Sequence, residues 1–335
     1  MSPHSRAPRA ARALRAPRAE QALSAARLYY QQDLTMETIA QELRVSRSSV
    51  SRLLSFARET GLVEITIHSP EAAQNELETW FANTLGVTAH VVRAPARATE
   101  LERLDRTAHA AAGVLAQAVR SQLTVGVAWG STLSAVASHL PAKPTHDSHV
   151  VQMNGAVNLR TTGVSYAGEL LGRFASAFQM SVHEFPVPAL FDDPNTKLAM
   201  WRERSVQAVR ERQARAGLFM FGLGSPRAEL PSHVYSGGYL DKADKAAVKQ
   251  YGIVGDCATV FYRADGSDDG IDLNARSSGP SLDAIREIPH RLCVVSSTSK
   301  RDSLRGALAA GLITELVVDE ALARSVYSWH TGSGR

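Results

Sequence analysis

The sequence predicts an α/β protein in two parts: a small N-terminal helical unit and a large domain built on a parallel sheet. From about residue 90 onward, short apolar runs alternate with amphipathic stretches of helical period, the pattern of a sheet covered by helices on both faces. Before residue 60 there are only three short helical segments separated by turn signals. Charge divides the chain at the same place. Residues 1–60 hold ten Arg against five acidic residues, whereas residues 61–335 hold 27 basic and 28 acidic ones. The positive excess that would attract a polyanion therefore lies in the N-terminal fifth.

Composition narrows the class. At 44% hydrophobic and 21% charged, the 335 residues have ordinary globular usage. No apolar run reaches the roughly 18 residues of a membrane-spanning helix. No apolar h-region follows the basic start, so a secretory signal is not expected and the protein reads as cytoplasmic. Cys257 and Cys293 sit in apolar surroundings (DCATVFY, RLCVVSS) and read as buried free thiols of a reducing compartment. Two cysteines are too few for a zinc site, and neither metal nor cofactor is expected.

Residues 1–18 are Arg, Ala and Pro without an acid. They read as a mobile tail, either a basic terminus without a role or an arm adding non-specific phosphate contacts. A first helix is expected from Ala19 to Gln31. Thr35 caps a second, METIAQEL, and Ser46 caps a third, RSSVSRLLSFARET, which stops at Gly61. Val63, Ile65 and Ile67 alternate with polar residues and read as a strand or wing. The first domain thus covers 19–69. A linker helix covers 70–86, with Leu77, Trp80, Phe81 and Leu85 on one side, and the second domain covers 87–330. Its strands are HVV at 90–92, TVGVAW, HVVQM, SVHEF, GLFMFGLG, TVFYRADG, RLCVVSS and ELVVD. Helices are expected at 100–121, STLSAVASHL, 165–178, 197–215 and 300–310, and residues 263–280 read as one long loop.

The second and third helices fit a helix-turn-helix. Ala40 supplies the small residue where the helices cross, and Val50 is the matching buried position ten residues later. Ile39, Leu43, Val45, Leu53 and Leu54 lock the angle. Arg44 stands at the turn position where Gly is more usual, so a residue with a side chain must accept the turn. The exposed face of the third helix is then Arg47, Ser48, Ser51 and Arg52, with Ser46 and Ser49 beside them and Thr35 at the preceding cap. Arg can fork to guanine, and hydroxyls and helix N-termini suit phosphate. These seven residues are the candidate contacts to double-stranded operator DNA. One recognition helix reads few bases, so at least two protomers on an imperfect palindrome are expected.

In the second domain, TVGVAWGSTLSAVASHL is an apolar strand, a Gly turn and hydroxyl residues at a helix start. Free N–H groups there, with Ser131 and Thr132, can hold an anion. Such junctions also carry Gly and Ser simply as turn and cap. The ordered set TMETIAQELRVSRSSVSRLL, GVAWGSTL, VVQMNGAV, FGLGSP, SGGYL, YGIVGD and VVSSTSKRDSLRGALAAGLITELVVDE resembles the SorC-type sugar-binding transcriptional regulators from about residue 20 to 330. The resemblance implies a winged helix-turn-helix joined to a Rossmann-like, doubly wound effector domain related to sugar-phosphate isomerases and deaminases. Dimers or tetramers are implied as well. Carried onto this chain, it implies Gly130, Ser131 and Thr132 as a phosphate or hydroxyl cradle, with Asn154 reaching the sugar. It further implies Asp256 as acceptor for sugar hydroxyls and Lys300 as the charge facing a phosphate. Asn154 cannot form a Schiff base, so covalent capture of an aldehyde sugar is not expected.

The function expected is a regulator of a carbohydrate operon controlled by a sugar or sugar phosphate. The alternatives are an enzyme of the isomerase or deaminase group carrying a DNA-binding appendage, for which Asp256 and His183 are the available acid–base candidates, and an architectural DNA-binding protein whose second domain only oligomerises.

Overall fold

The computed structural model describes residues 15–30, 32, 34–63, 70–158, 164–229 and 232–332. Contacts divide the chain into two compact units that meet at Pro70 and Glu71.

The first unit holds α1 (Arg15–Tyr30), α2 (Met36–Glu42) and α3 (Arg47–Glu59). Helix α1 begins four residues before the expected Ala19, inside the stretch read as tail. Pro17 falls in its first turn, where an N–H has no intrahelical partner to lose. Residues 1–14 of that tail, and residues 64–69 with Ile65 and Ile67 of the expected wing, lie outside the described residues. Ala22, Ala25 and Ala26 of α1 pack with Ile39, Ala40, Val50, Leu53, Leu54 and Ala57 into one core. Thr35 and Ser46 cap α2 and α3, accepting from the N–H of Thr38 and Ser49. Arg44 turns the chain between them at φ 54°, the left-handed conformation that glycine would adopt without cost.

The second unit opens with α4 (Pro70–Leu85), β1 (Thr88–Val92), α5 (Glu100–Ala118), β2 (Thr124–Val127), α6 (Ser131–Ser138) and β3 (His149–Gln152). There follow α7 (Val164–Phe178), β4 (Ser181–His183), α8 (Pro194–Met200), α9 (Arg204–Ala214), β5 (Leu218–Gly222), α10 (His233–Ser236) and α11 (Lys242–Gln250). The chain continues through β6 (Gly255–Cys257), β7 (Val260–Tyr262), α12 (Asp272–Arg276), α13 (Leu282–Arg286) and β8 (His290–Val295). It ends with a 3-10 turn (Thr298–Lys300), α14 (Arg301–Ala309), β9 (Glu315–Asp319) and α15 (Glu320–Thr331).

Seven strands form one sheet in the order β1-β9-β8-β5-β2-β3-β4, and every pairing in it is parallel. From β2 the chain steps one way to β3 and β4; from β5 it steps the other way to β8 and β9. The order therefore reverses between β2 and β5, where open α/β sheets gather their ligands at the strand carboxyl ends. Side chains alternate faces along each strand. Leu218, Met220, Leu292 and Val294 enter one core beneath α5, α6 and α7. Phe219, Phe221, Cys293 and Val295 enter the other, beside Leu77 and Phe81 of α4 and Leu322 of α15. Both cysteines are buried free thiols.

Three expectations need correction. Val260–Tyr262 does not join the main sheet; β7 pairs antiparallel with β6 as a separate two-stranded ribbon. The helix expected over 197–215 breaks into α8 and α9, because Trp201 turns in to pack on Phe185 and Phe191. The loop 263–280 carries α12 and is pinned by Arg263, which donates to the carbonyls of Tyr251 (3.0 Å) and Asp269 (3.0 Å).

Candidate effector pocket and DNA-facing helix

Strand β2 runs apolar and fully buried to Gly130, whose φ of 157° and ψ of 164° belong to a region nearly reserved for glycine. Helix α6 starts at the next residue without any side-chain cap on its N-terminus, so its first N–H groups stay available to a ligand. Thr132 is buried there and Ser131 is exposed. Across the reversal point β5 ends in FGLG. Gly222 passes beside Thr132, and a Cβ on Gly222 would stand 3.2 Å from that of Thr132. Gly224 exchanges backbone hydrogen bonds with Asp256 (2.9 and 3.3 Å). The end of β5 thereby clamps the β6–β7 ribbon.

The six residues that the resemblance implies for the effector, Gly130, Ser131, Thr132, Asn154, Asp256 and Lys300, all line one pocket. They come from the ends of β2 and β3, from the ribbon and from the turn after β8, with Asn154 22 residues beyond Thr132 and Lys300 170 beyond Gly130. Asn154 is 1% exposed and Asp256 4%, yet Asn154 Oδ1 and Asp256 Oδ1 have no hydrogen-bond partner. Each orphaned acceptor is costly unless a donor arrives. The other oxygen, Asp256 Oδ2, accepts from the N–H of Thr259 at 3.2 Å. The Tyr235 hydroxyl stands beside the carboxylate, but it too lacks a partner of good geometry. Burial pushes the Asp256 carboxyl up to about 6, against the opposing pull of Tyr235, Thr259 and Lys300. Burial likewise lowers the Lys300 ammonium, while the negative charges of Asp256 and Glu100 work to hold it charged.

The turn before Lys300 is strained where its sequence, SSTSK, offers no glycine. Ser297 takes φ 83° and is held there from two sides. Its N–H donates to Asp319 at 2.7 Å, and its hydroxyl donates to Glu100. The remaining wall includes two aromatic residues, Trp129 and His233. Trp129 stacks on Tyr239 at 5.0 Å and donates to the carbonyl of Gly155 at 2.7 Å; His233 stacks on Tyr166 at 5.3 Å. Open space within the pocket is about 50 Å³, room for a few waters.

Several of these contributors carried no role in the sequence reading: Trp129, Gly222, Gly224, His233, Tyr235 and Thr259. The FGLG run was the one available signal. His183, offered as an acid–base partner of Asp256, is not in the pocket. It lies on the edge strand β4, with its Nε2 3.1 Å from Nδ1 of His149.

In the first unit, Arg47, Ser48, Ser51 and Arg52 share the exposed face of α3. Ser46 and Thr35 are exposed caps, and Ser49 is half-buried. Ser46 hydrogen bonds to the hydroxyls of both Ser48 and Ser49 at 2.9 Å, so this end of α3 presents a hydroxyl cluster. Arg47 lies 3.9 Å from Glu37 with both side chains largely exposed, a loose pair that an incoming phosphate can displace. Arg52 donates to the carbonyl of Ser48 at 3.3 Å.

Comparison with known proteins agrees with this architecture. Residues 69–328 match the Sugar-bind family, a sugar-binding domain. The deoxyribonucleoside regulator of Bacillus subtilis (strain 168) is 30% identical over 91% of this chain and 96% of its own. Among solved structures, a domain described as that of a possible sugar-binding transcriptional regulator from Arthrobacter aurescens TC1 is 51% identical. It covers 77% of this chain and 99% of its own with a TM-score of 0.73. The full-length sorbitol operon regulator SorC of Klebsiella pneumoniae, 21% identical, shares the fold over 92% of this chain and 99% of its own with a TM-score of 0.68. An N-terminal helix-turn-helix, an all-parallel seven-stranded sheet and these matches converge: the chain belongs to the SorC-type family of sugar-binding transcriptional regulators.

Proposed function

We propose that this protein reads the operator of a carbohydrate catabolic operon through α3 and releases or engages it in response to a small phosphorylated sugar. The observation that carries the ligand reading is the pair of orphaned acceptors, Asn154 Oδ1 and Asp256 Oδ1, buried in one pocket. Sugar hydroxyls are the donors that answer both. The phosphate lies at the uncapped start of α6, against Ser131, Thr132 and the Lys300 ammonium. The names of the relatives, one for deoxyribonucleosides and one for sorbitol, support a small polyhydroxylated effector. About 50 Å³ is too little for a sugar phosphate, so occupancy must displace part of the wall. His233, on the short helix α10, stacks on Tyr166 of α7 and is the part of that wall we propose to move. This displacement is the structural change an effector would impose.

The protein acts as a cytoplasmic homodimer or homotetramer without catalysis. The support is that the relatives are regulators by name, and that His183 stands apart from Asp256. The test is a thermal-shift screen of pentose and hexose phosphates with their free sugars, followed by calorimetry of wild type and Lys300→Ala. Loss of ~1–3 kcal/mol for the phosphorylated hit alone is expected. Equal loss for the free sugar would mean that Lys300 meets no phosphate and that the effector is a neutral sugar.

A further inference from the structure

A second cavity lies between α9 and the segment leading into α13, and it shares no residue with the effector pocket. Its volume is about 610 Å³, within the range of small-molecule sites, roughly 300–1,000 Å³. Trp201 is fixed at one side by Phe185 (5.8 Å) and Phe191 (5.6 Å), part of a small apolar cluster outside the two main cores. Two cations lie over that one indole ring. Lys197 Nζ is 5.7 Å from its centroid and the Arg210 guanidinium 5.2 Å.

Neither cation is in an ion pair among the described residues. Lys197 donates to the carbonyl of Ala275 at 3.1 Å. The charge acting on its ammonium is the like charge of Arg210, which adds to the lowering by burial. Arg215 adds a third cation to the lining, and Glu287 is its one carboxylate. The two like charges over this one indole have no acidic partner within ion-pair distance among the described residues. Each cation is attracted to the ring face, and an anion set between them would relieve their mutual repulsion.

We propose that this cavity is a second ligand site for a small phosphate-bearing metabolite, with its phosphate between Lys197 and Arg210 and its organic part beside Trp201. The bidentate fork of Arg210 suits phosphate oxygens, and Lys197 serves as a point charge. Trp201 and the aliphatic lining (Ala284, Ile288) give the remainder an apolar wall. The site differs in kind from the effector pocket, where the negative charges of Asp256 and Glu100 act on the one lysine and buried acceptors are offered to hydroxyls.

The experiment uses inorganic pyrophosphate as probe on the full chain carrying Lys300→Ala, so that a phosphate site in the effector pocket is weakened. Expected is saturable binding by calorimetry together with a change in tryptophan fluorescence. Lys197→Ala with Arg210→Ala should weaken it at least tenfold. Trp201→Phe should remove the fluorescence change while the heat of binding persists. If the double variant melts early, Arg210→Ala alone serves, since Arg210 is exposed and its loss leaves the packing intact; a threefold or greater weakening is then expected. Absence of saturable binding, or binding that ignores Lys197 and Arg210, overturns the proposal. So does a fall in oligomeric mass on Arg210→Ala without loss of pyrophosphate, which would mean that a second copy covers the cavity. Failure here leaves the effector reading untouched, because that reading is tested at Lys300 in an otherwise native chain.

Discussion

The Asp256 carboxylate lies so close to Gly224 that a Cβ added to this glycine would stand 1.8 Å from Oδ1. The two residues also bond backbone to backbone, so the end of β5 and the β6–β7 ribbon meet without a side chain between them. This contact fixes the Asp256 carboxylate at the point where the strand order reverses.

Gly224→Ala should therefore push the ribbon away. An overpacked contact of this kind costs about 1–3 kcal/mol. A lower melting temperature is expected, together with loss of effector response beyond what the melting shift explains. Unchanged calorimetric affinity for the effector would show that Asp256 tolerates displacement.

Asp256 also sets a pH dependence. Its carboxyl is raised from 3.8 to about 6 in the folded protein, so between those values the folded state binds more protons than the unfolded one. Stability from this group is then full below pH 3.8 and lost as pH rises through about 6, on the order of 3 kcal/mol in total. Asp256→Asn should be more stable than wild type above pH 6, with the difference shrinking toward pH 4. Urea unfolding of both forms across pH 4–7.5 measures it. Effector affinity of wild type should fall as pH drops through 6, since the ionised carboxylate is the better acceptor.

On α3, Arg47→Ala and Arg52→Ala separate base reading from phosphate contact. A base-reading Arg should cost ~1–3 kcal/mol and relax preference at one base pair. A phosphate-contacting Arg should weaken all sequences alike and flatten the salt dependence. The operator itself should be an imperfect palindrome, and footprinting should show an isolated half-site bound more weakly than the whole. Operator affinity indifferent to both substitutions would place the DNA on another face.

Ala40→Leu tests the crossing of α2 and α3. Ala40 is 7% exposed and packs in one core with Val50 and Leu54, so a larger side chain forces the helices apart at about 1–3 kcal/mol. Operator binding should collapse while effector binding persists, because contacts divide the chain after Pro70. Loss of effector binding would contradict that independence.

The sequence by itself determined the parts whose physics is local. Period and turn chemistry announce the strand–helix alternation, and Thr35 and Ser46 announce their caps. The ten-residue interval between Ala40 and Val50 places both in one core, as found. Arg44 was legible as the residue at the turn position where Gly is more usual; the structure shows it at φ 54°. The residues proposed to hold the effector were marked by an ordered set of motifs, and the structure brings all six to one pocket.

Only the tertiary structure decided what depends on distant partners. Val260–Tyr262 has a strand's composition, but composition does not choose a sheet. The Ala258–Thr259 turn, with φ of 48° and 67°, carries none of the Asn-Gly chemistry that signals a hairpin. It is held instead by Asp256 Oδ2 accepting from Thr259 and by Ser277 meeting the Thr259 hydroxyl at 3.1 Å. Ser297 similarly keeps a glycine-like conformation because Asp319 and Glu100, from other elements, bind both of its polar groups. Lys197 stands four residues before Trp201, a local helical spacing, but the orphaned acceptors and the Arg210 that α9 lays over the same ring have no local signature. Burial and the absence of a partner are properties of everything that surrounds a side chain, and those surroundings exist only once the sheet has closed over its two cores.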